Sequence, residues 1–483
     1  MTFGARRTDF RTIAPSLAGG ALAGALSAAA IMFADGAVRL GLIAGVVAIL
    51  TACWIAIGPL YWWTSFVAAA LLLPPLPFPL GNSGPHVALV FAALGVWVAL
   101  ARLWEWKFEP DAVAILLFTF TAWLVATALF AALYSGASAA AGSLARVGLF
   151  GIGVFAYFYT ADGPGRVAGT DAFRWARWAF LLASVSAAFA VVDFYFQWPP
   201  LSGFAAQFVW LPFGVYRRAQ GVFYEAGMLG NLCSMFLLMA VVAAVRPQVR
   251  RKIVSEPVLL LGGTALMAAL VLSFSRSSLM HLAAALAALL ALERRRIFAW
   301  RRMIFALLVL LLAGLLIALS APEVLLAYAR RLGDMLFYAG ASPEALLSGR
   351  LETWSLLASK LADQPWVLLT GIGFKTLPYT SYFGEPLVAD NMYLSLLAET
   401  GVVGLFLMGA LSLAMLAAAM EARRRESPAG WFCGTWFFCF WIGQLAQMLS
   451  VDVLTYWRVL PLAFFTLALA RLEGSRAKNS STT

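Results

Sequence analysis

Eleven basic residues in this chain have no role in its overall charge layout: Arg39, Arg146, Arg217, Arg218, Arg276, Arg330, Arg331, Arg350, Lys360, Lys375 and Arg458. Arginine is permanently charged and grips phosphate with a two-pronged fork. Several of them converging would hold a polyanion and stabilise charge developing on a leaving group. Arg276 is the sharpest case. It sits in Ser273-Phe274-Ser275-Arg276, between two apolar runs that form a hairpin with almost no loop. A guanidinium at such a depth is expensive and marks function by default. The plainer reading is an arginine that snorkels to lipid headgroups. Arg217 and Arg218 precede another apolar run, with Glu225 at its entrance. They read as phosphate contacts or as an interfacial anchor paired with Glu225. Arg350 opens a loop helix and reads as a substrate contact or a solvated charge. Arg330 and Arg331 read as a wet face.

The acids suited to proton transfer are Asp390, in Ala389-Asp390-Asn391-Met392-Tyr393, and then Glu225 and Glu399. A carboxylate there would accept a proton from an incoming hydroxyl. Asp390 would otherwise cap the helix that follows. Glu399 lies deep enough in an apolar run to need a cationic partner. The two histidines are His86, opening an apolar run, and His281, inside one. Both read as hydrogen-bonded structural residues, with proton relay as the rival role. No H-E-x-x-H, Walker or G-x-S-x-G sequence occurs in a supporting context. Cys53, Cys233, Cys433 and Cys439 lie in apolar runs without C-x-x-C spacing. No metal site, disulfide or cofactor is expected.

These residues must be held by membrane helices. Of 483 residues, 63% are hydrophobic and 12% charged. A soluble domain is nearer half apolar and a quarter charged. That excludes a soluble globule, a disordered chain and a disulfide scaffold, and predicts an all-α polytopic membrane protein. Apolar runs fall at 14–34, 38–57, 59–74, 86–103, 112–134, 143–160, 175–197, 223–245, 257–275, 277–292, 303–321, 391–419, 431–450 and 453–470. At roughly 20 residues per span, about 12–14 cross the membrane. The N-terminal arginines before residue 14 suggest a signal peptide, but the run is long enough to stay as a first helix.

With the N-terminus placed in the cytoplasm, the other 23 of the 34 basic residues fall on the cytoplasmic side, clustered at helix ends. That is the positive-inside rule. It accounts for most of the net charge of +11 without nucleic acid. The organisation expected is N-terminal helices over 1–321, a large outer loop over 322–390, C-terminal helices over 391–471 and a disordered cytoplasmic tail over 472–483. In the loop, Ser348 can cap a helix through Ala362 that stops near Gln364-Pro365. Gly371-Ile372-Gly373 reads as a turn. The outer face offers no ATP, and the obvious polyanion there is a lipid diphosphate.

Three features then occur in order: Arg218-x-x-Gly221-x-Phe223-x-Glu225; Ser275-Arg276; and Gly349-Arg350-x3-Trp354, Gly371-Ile372-Gly373 and Asp390-Asn391-x-Tyr393-Leu394-x3-Ala398-Glu399-x-Gly401-x2-Gly404-Leu405. The set resembles the O-antigen ligase/polymerase superfamily, which includes Wzy-type polymerases, over about residues 205–420. The resemblance implies a GT-C-like enzyme of the bacterial inner membrane with its site at the periplasmic face. Its donor would be an undecaprenyl-diphosphate-linked oligosaccharide. Its acceptor would be a lipid-linked repeat or lipid A–core, with membrane lipids and a chain-length regulator as further partners. Arg217, Arg218, Arg276 and Arg350 would bind the donor, with Asn391, Tyr393 and Glu399 in the site; Asp390, Glu225 and Arg276 would be catalytic. Ligases of this family commonly carry His where this chain has Asp390. That departure and Glu225 favour an O-antigen or exopolysaccharide polymerase over a ligase. A transporter of the lipid-linked glycan is the rival from another class, though neither repeats nor broken midplane helices are evident.

Overall fold

The computed structural model describes residues 38, 58–76, 84–167, 171–199, 207–211, 214–297, 300–320, 322–323, 326, 330, 350–425 and 427–480. The chain divides into two compact units, Met1–Trp62 and Trp63–Thr483, and everything below concerns the second. The expected spans 14–34 and 38–57, with Arg39, lie outside the described residues apart from Val38; so do Arg331 and the cap Ser348.

The protein is an all-α polytopic membrane protein. Six described helices are long and apolar enough to cross a bilayer: Ala112–Ser135, Ala137–Ala161, Ala172–Phe196, Ala226–Val245, Arg276–Arg294 and Met392–Arg424. The pair Pro247–Ile253 and Glu256–Leu272, bent by 81°, makes a seventh if it is one span. The expected runs at 59–74 and 86–103 are the shorter helices Tyr61–Leu72 and Val87–Ala101. Trp300–Ser320, Pro428–Gln447 and Leu460–Ser480 are further long helices among the described residues.

Polar residues start these helices where the apolar runs begin. Asp111 accepts from Ala114 N at 2.7 Å and Ser427 from Gly430 N at 3.2 Å, each satisfying an otherwise orphan donor. Ala226–Val245 is the central helix, with 89% of its apolar window buried. Around it pack Glu256–Leu272, Arg276–Ile297, Pro428–Gln447 and Ala172–Phe196. Its small residues Gly227 and Gly230 let Tyr456 and Ser278 approach closely.

Two features were not anticipated. The segment before Glu225 contains an antiparallel ribbon, Phe208–Leu211 with Gly214–Arg217, in register Phe208↔Arg217. It is too short and too aromatic to stand out beside the neighbouring apolar runs. The expected tail from 472 is instead helical as far as Ser480, continuing the last helix. Arg471 holds that helix to Asp111 at 2.9 Å and Asp162 at 3.1 Å, and no proline follows to stop it.

The loop motif around Gly371 has a packing role. Met392–Arg424 breaks its helical backbone at Gly401, where φ is +68°. Ile372 N and Gly373 N donate to the carbonyls of Ala398 (3.0 Å) and Glu399 (2.9 Å), just before that break. The two backbones press so closely that a Cβ at Gly371 (φ +75°) would overlap the Glu399 carbonyl, and one at Gly401 the Leu369 carbonyl. Glycine is required on both sides, by conformation and by space.

Candidate active site

The site grows from the ribbon. Its second strand ends at Arg217, and successive side chains there point to opposite faces. Arg217 turns to Asp193, 2.6 Å away and buried, and borders a small cavity with Phe189 and Trp198. Arg218 goes the other way: its Nε donates to the Ser273 carbonyl at 2.7 Å. Ala219 N adds a bond to the Leu272 carbonyl at 3.0 Å. The ribbon is thus stitched to the turn Ser273–Ser275, with Arg276 exposed as the first residue of the next helix. Arg218 and Arg276 are presented from one corner.

Glu225 precedes the central helix and does not cap it through its side chain. Its carboxyl lies in the field of both Asp390 and Arg218. Burial and the Asp390 charge push its pKa above the usual carboxylate range, while Arg218 pulls it down. Asp390 adopts a left-handed backbone (φ +44°) and meets Arg350 at 3.4 Å. Trp354 donates from Nε1 to the Ala389 carbonyl at 2.6 Å, so the helix Arg350–Ala362 hangs on the segment carrying Asp390. Arg218 and the Arg350–Asp390 pair therefore sit close enough to act on Glu225, and the four make up the candidate cluster.

Asp390 is not the helix cap. Asn391 is, accepting from Tyr393 N at 3.0 Å and Leu394 N at 3.2 Å. Tyr393 donates its hydroxyl to the Leu445 carbonyl at 2.8 Å. Glu399 is buried, accepts from Leu377 N at 3.2 Å and meets Lys375 at 3.7 Å; Lys375 also pairs with Asp452. The cationic partner of Glu399 is Lys375. His86 uses both ring nitrogens, on the Leu73 carbonyl and Ala88 N. His281 joins Asn231 (3.0 Å) and Gln447 (2.9 Å) in a buried network. Neither histidine touches the cluster.

Tyr456 was missed by sequence reasoning. It is 1% exposed, and its hydroxyl has no hydrogen-bond partner among the described residues. That hydroxyl lies over Gly227 and close to Ser275, in the field of Glu225, Arg218 and Asp390. Burial raises its pKa well above that of a free phenol, with both carboxylates adding and Arg218 opposing. The only sequence signal was a tyrosine near the start of the last apolar run.

A cavity of about 680 Å³ opens beside the cluster and has Glu225 in its wall. Among the described residues, no group of three His, Cys, Asp or Glu is placed to hold a metal ion.

Residues 258–409 match the family model described as O-antigen ligase. This stretch is similar to the O-antigen ligase family. No curated protein matches the chain. The match takes in Arg276, Arg350, Asp390, Glu399 and the Gly371–Gly401 contact, which supports a ligase/polymerase-type function acting on lipid-linked glycans. Arg218, Glu225 and Tyr456 lie outside it and join the site through the tertiary structure.

Proposed function

We propose that this protein is a glycan polymerase of the bacterial inner membrane, working at the periplasmic face on undecaprenyl-diphosphate-linked repeats. The observation that carries the reading is that Glu225 lies in the field of both Arg218 and Asp390, with Arg218 bonded to the turn that leads into Arg276. A carboxylate base and two phosphate-binding cations then meet in one place.

In the reaction, a sugar hydroxyl of the acceptor attacks the anomeric carbon of the donor. The new C–O bond forms as the bond from that carbon to the diphosphate oxygen breaks. The departing lipid diphosphate takes the electron pair, and Arg218 and Arg276 neutralise it. The proton of the attacking hydroxyl passes to Glu225. Burial raises the pKa of Glu225, which suits it to act as the base, because a base works best with a pKa near the working pH. Asp390 is held by Arg350 and steers the acceptor. Attack from the side opposite the diphosphate inverts the anomeric configuration. No step calls for a metal or cofactor.

Purified protein given lipid-linked repeat alone should build a ladder of chain lengths. An alternative reading, transfer of a finished glycan to lipid A–core or protein, is favoured by the ligase description of the matching family. It predicts no ladder until that acceptor is added. Flipping in proteoliposomes without any glycan growth would sink both readings and leave a transporter.

A further inference from the structure

The cavity beside Glu225 holds two cations that the transfer chemistry does not use. Arg146 and Arg458 both line it. Arg146 lies over the Tyr379 ring, 4.3 Å from its centroid, and donates to the Lys375 carbonyl at 3.4 Å. Arg458 is 2% exposed and donates to the Val222 carbonyl at 2.8 Å. Its Nε is buried with no partner among the described residues. Among those residues neither arginine is paired with a carboxylate. The other groups in the wall leave them unneutralised. Lys375 is engaged by Glu399 and Asp452, His86 by the Leu73 carbonyl and Ala88 N, and Glu225 lies in the field of Arg218. A buried guanidinium without a counter-charge is costly. Arg458 is buried and Arg146 half-buried, and two guanidinia without a carboxylate partner on one space mark a place built for an anion.

The rest of the wall says what carries the anion. Tyr224, Tyr379 and Trp457 line the same cavity. Aromatic rings suit the C–H faces of a pyranose, and a pocket that is mostly apolar with a few placed polar groups is the usual form of a small-molecule site. The volume of about 680 Å³ is in the range of such pockets. Glu225, the base proposed above, stands in its wall.

We propose that this cavity is the acceptor subsite and that it takes a sugar bearing a carboxylate, held by Arg146 and Arg458 against the aromatic wall. The glycan made would then be acidic, with a uronic-acid-type residue at or beside the accepting end. This rests on the transferase reading above for the word acceptor; the binding itself is measured without turnover.

The test uses the full-length protein in nanodiscs, with cellobiouronic acid and neutral cellobiose as probes, followed by tryptophan fluorescence and thermal melting. The acid should bind at least tenfold more tightly than the neutral sugar. Arg146→Gln should bring the two within about twofold, and Arg146→Lys should restore part of the gap. Arg458→Gln should act likewise if it folds; the Arg146 variants suffice if it does not. Equal binding of both sugars, no saturable binding of either, or a preference untouched by Arg146→Gln overturns the proposal. Tighter binding of inorganic pyrophosphate, or of discs rich in phosphatidylglycerol, at an Arg146-dependent site would also overturn it, in favour of a phosphate. Arg276→Ala should abolish transfer and spare acidic-sugar binding. Transfer that survives Arg276→Ala sinks the transferase mechanism; a lost sugar preference sinks only the subsite.

Discussion

Arg218 donates its Nε hydrogen bond to the carbonyl of Ser273, 2.7 Å away, and Ser273 opens the turn that ends at Arg276. One arginine therefore positions the segment that presents the other. The bond engages the Nε edge of the Arg218 guanidinium and ties it to the turn.

Arg218→Lys should be a poor replacement although it keeps the charge. An ammonium cannot hold the Ser273 carbonyl and offer a fork at once. Turnover of lipid-linked repeat should fall by about 10²–10³-fold, the loss usual for removing one preorganised donor from a developing anion. Arg276→Ala should lose at least as much. Full ladder formation by either variant would remove the proposed diphosphate site.

The raised pKa of Glu225 sets a pH dependence. Below that pKa the carboxyl is protonated and cannot serve as a base. The rate should climb with pH through a value above the ordinary 4.5 of glutamate. The stability effect runs the other way. Between 4.5 and the raised value the folded state holds the proton more firmly than the unfolded chain, so stability falls as pH rises through that window. Glu225→Gln should flatten both effects. A pH–rate profile in which the acidic limb persists in Glu225→Gln would assign the base to another group.

Tyr456→Phe should separate stability from activity. Its hydroxyl is buried without a partner among the described residues, and an unsatisfied buried polar group costs about 1–3 kcal/mol. Removing it should leave the melting temperature unchanged or raise it. Activity should drop if the hydroxyl meets the substrate between Glu225 and Ser275. Unaltered activity together with a raised melting temperature would reduce Tyr456 to a packing residue.

Gly401→Ala should destabilise. The backbone there has φ +68°, and a Cβ would overlap the Leu369 carbonyl. Strain of this kind costs on the order of 1–3 kcal/mol before the overlap is counted. Gly371→Ala attacks the same contact, so the double variant should cost less than the sum. Melting in detergent checks both. An additive pair would mean that the two glycines act separately.

How much was legible beforehand differs between elements and site. The helices Ala112–Ser135 and Ala226–Val245 fall within a few residues of their apolar runs, because the bilayer requirement acts on each span alone. The family resemblance was legible too, since the motifs from Ser275 to Leu405 lie in order along the chain.

What only the tertiary structure decided was which charges are already paired. Arg217 and Arg218 are neighbours in sequence, yet one is paired with Asp193 while the other reaches the Arg276 turn. Nothing local separates them; strand alternation and the position of the ribbon do. Glu399 and Asp390 looked alike as candidate acids, and folding gave one to Lys375 and set the other beside Glu225. Tyr456 and Arg458 follow the last motif and could be placed only once the final helix had returned beside the central one. The sequence by itself determined a membrane protein with cations left over from the clusters at its helix ends. The tertiary structure gave those cations their partners, because the neighbours of a buried group come from elements that only folding brings together.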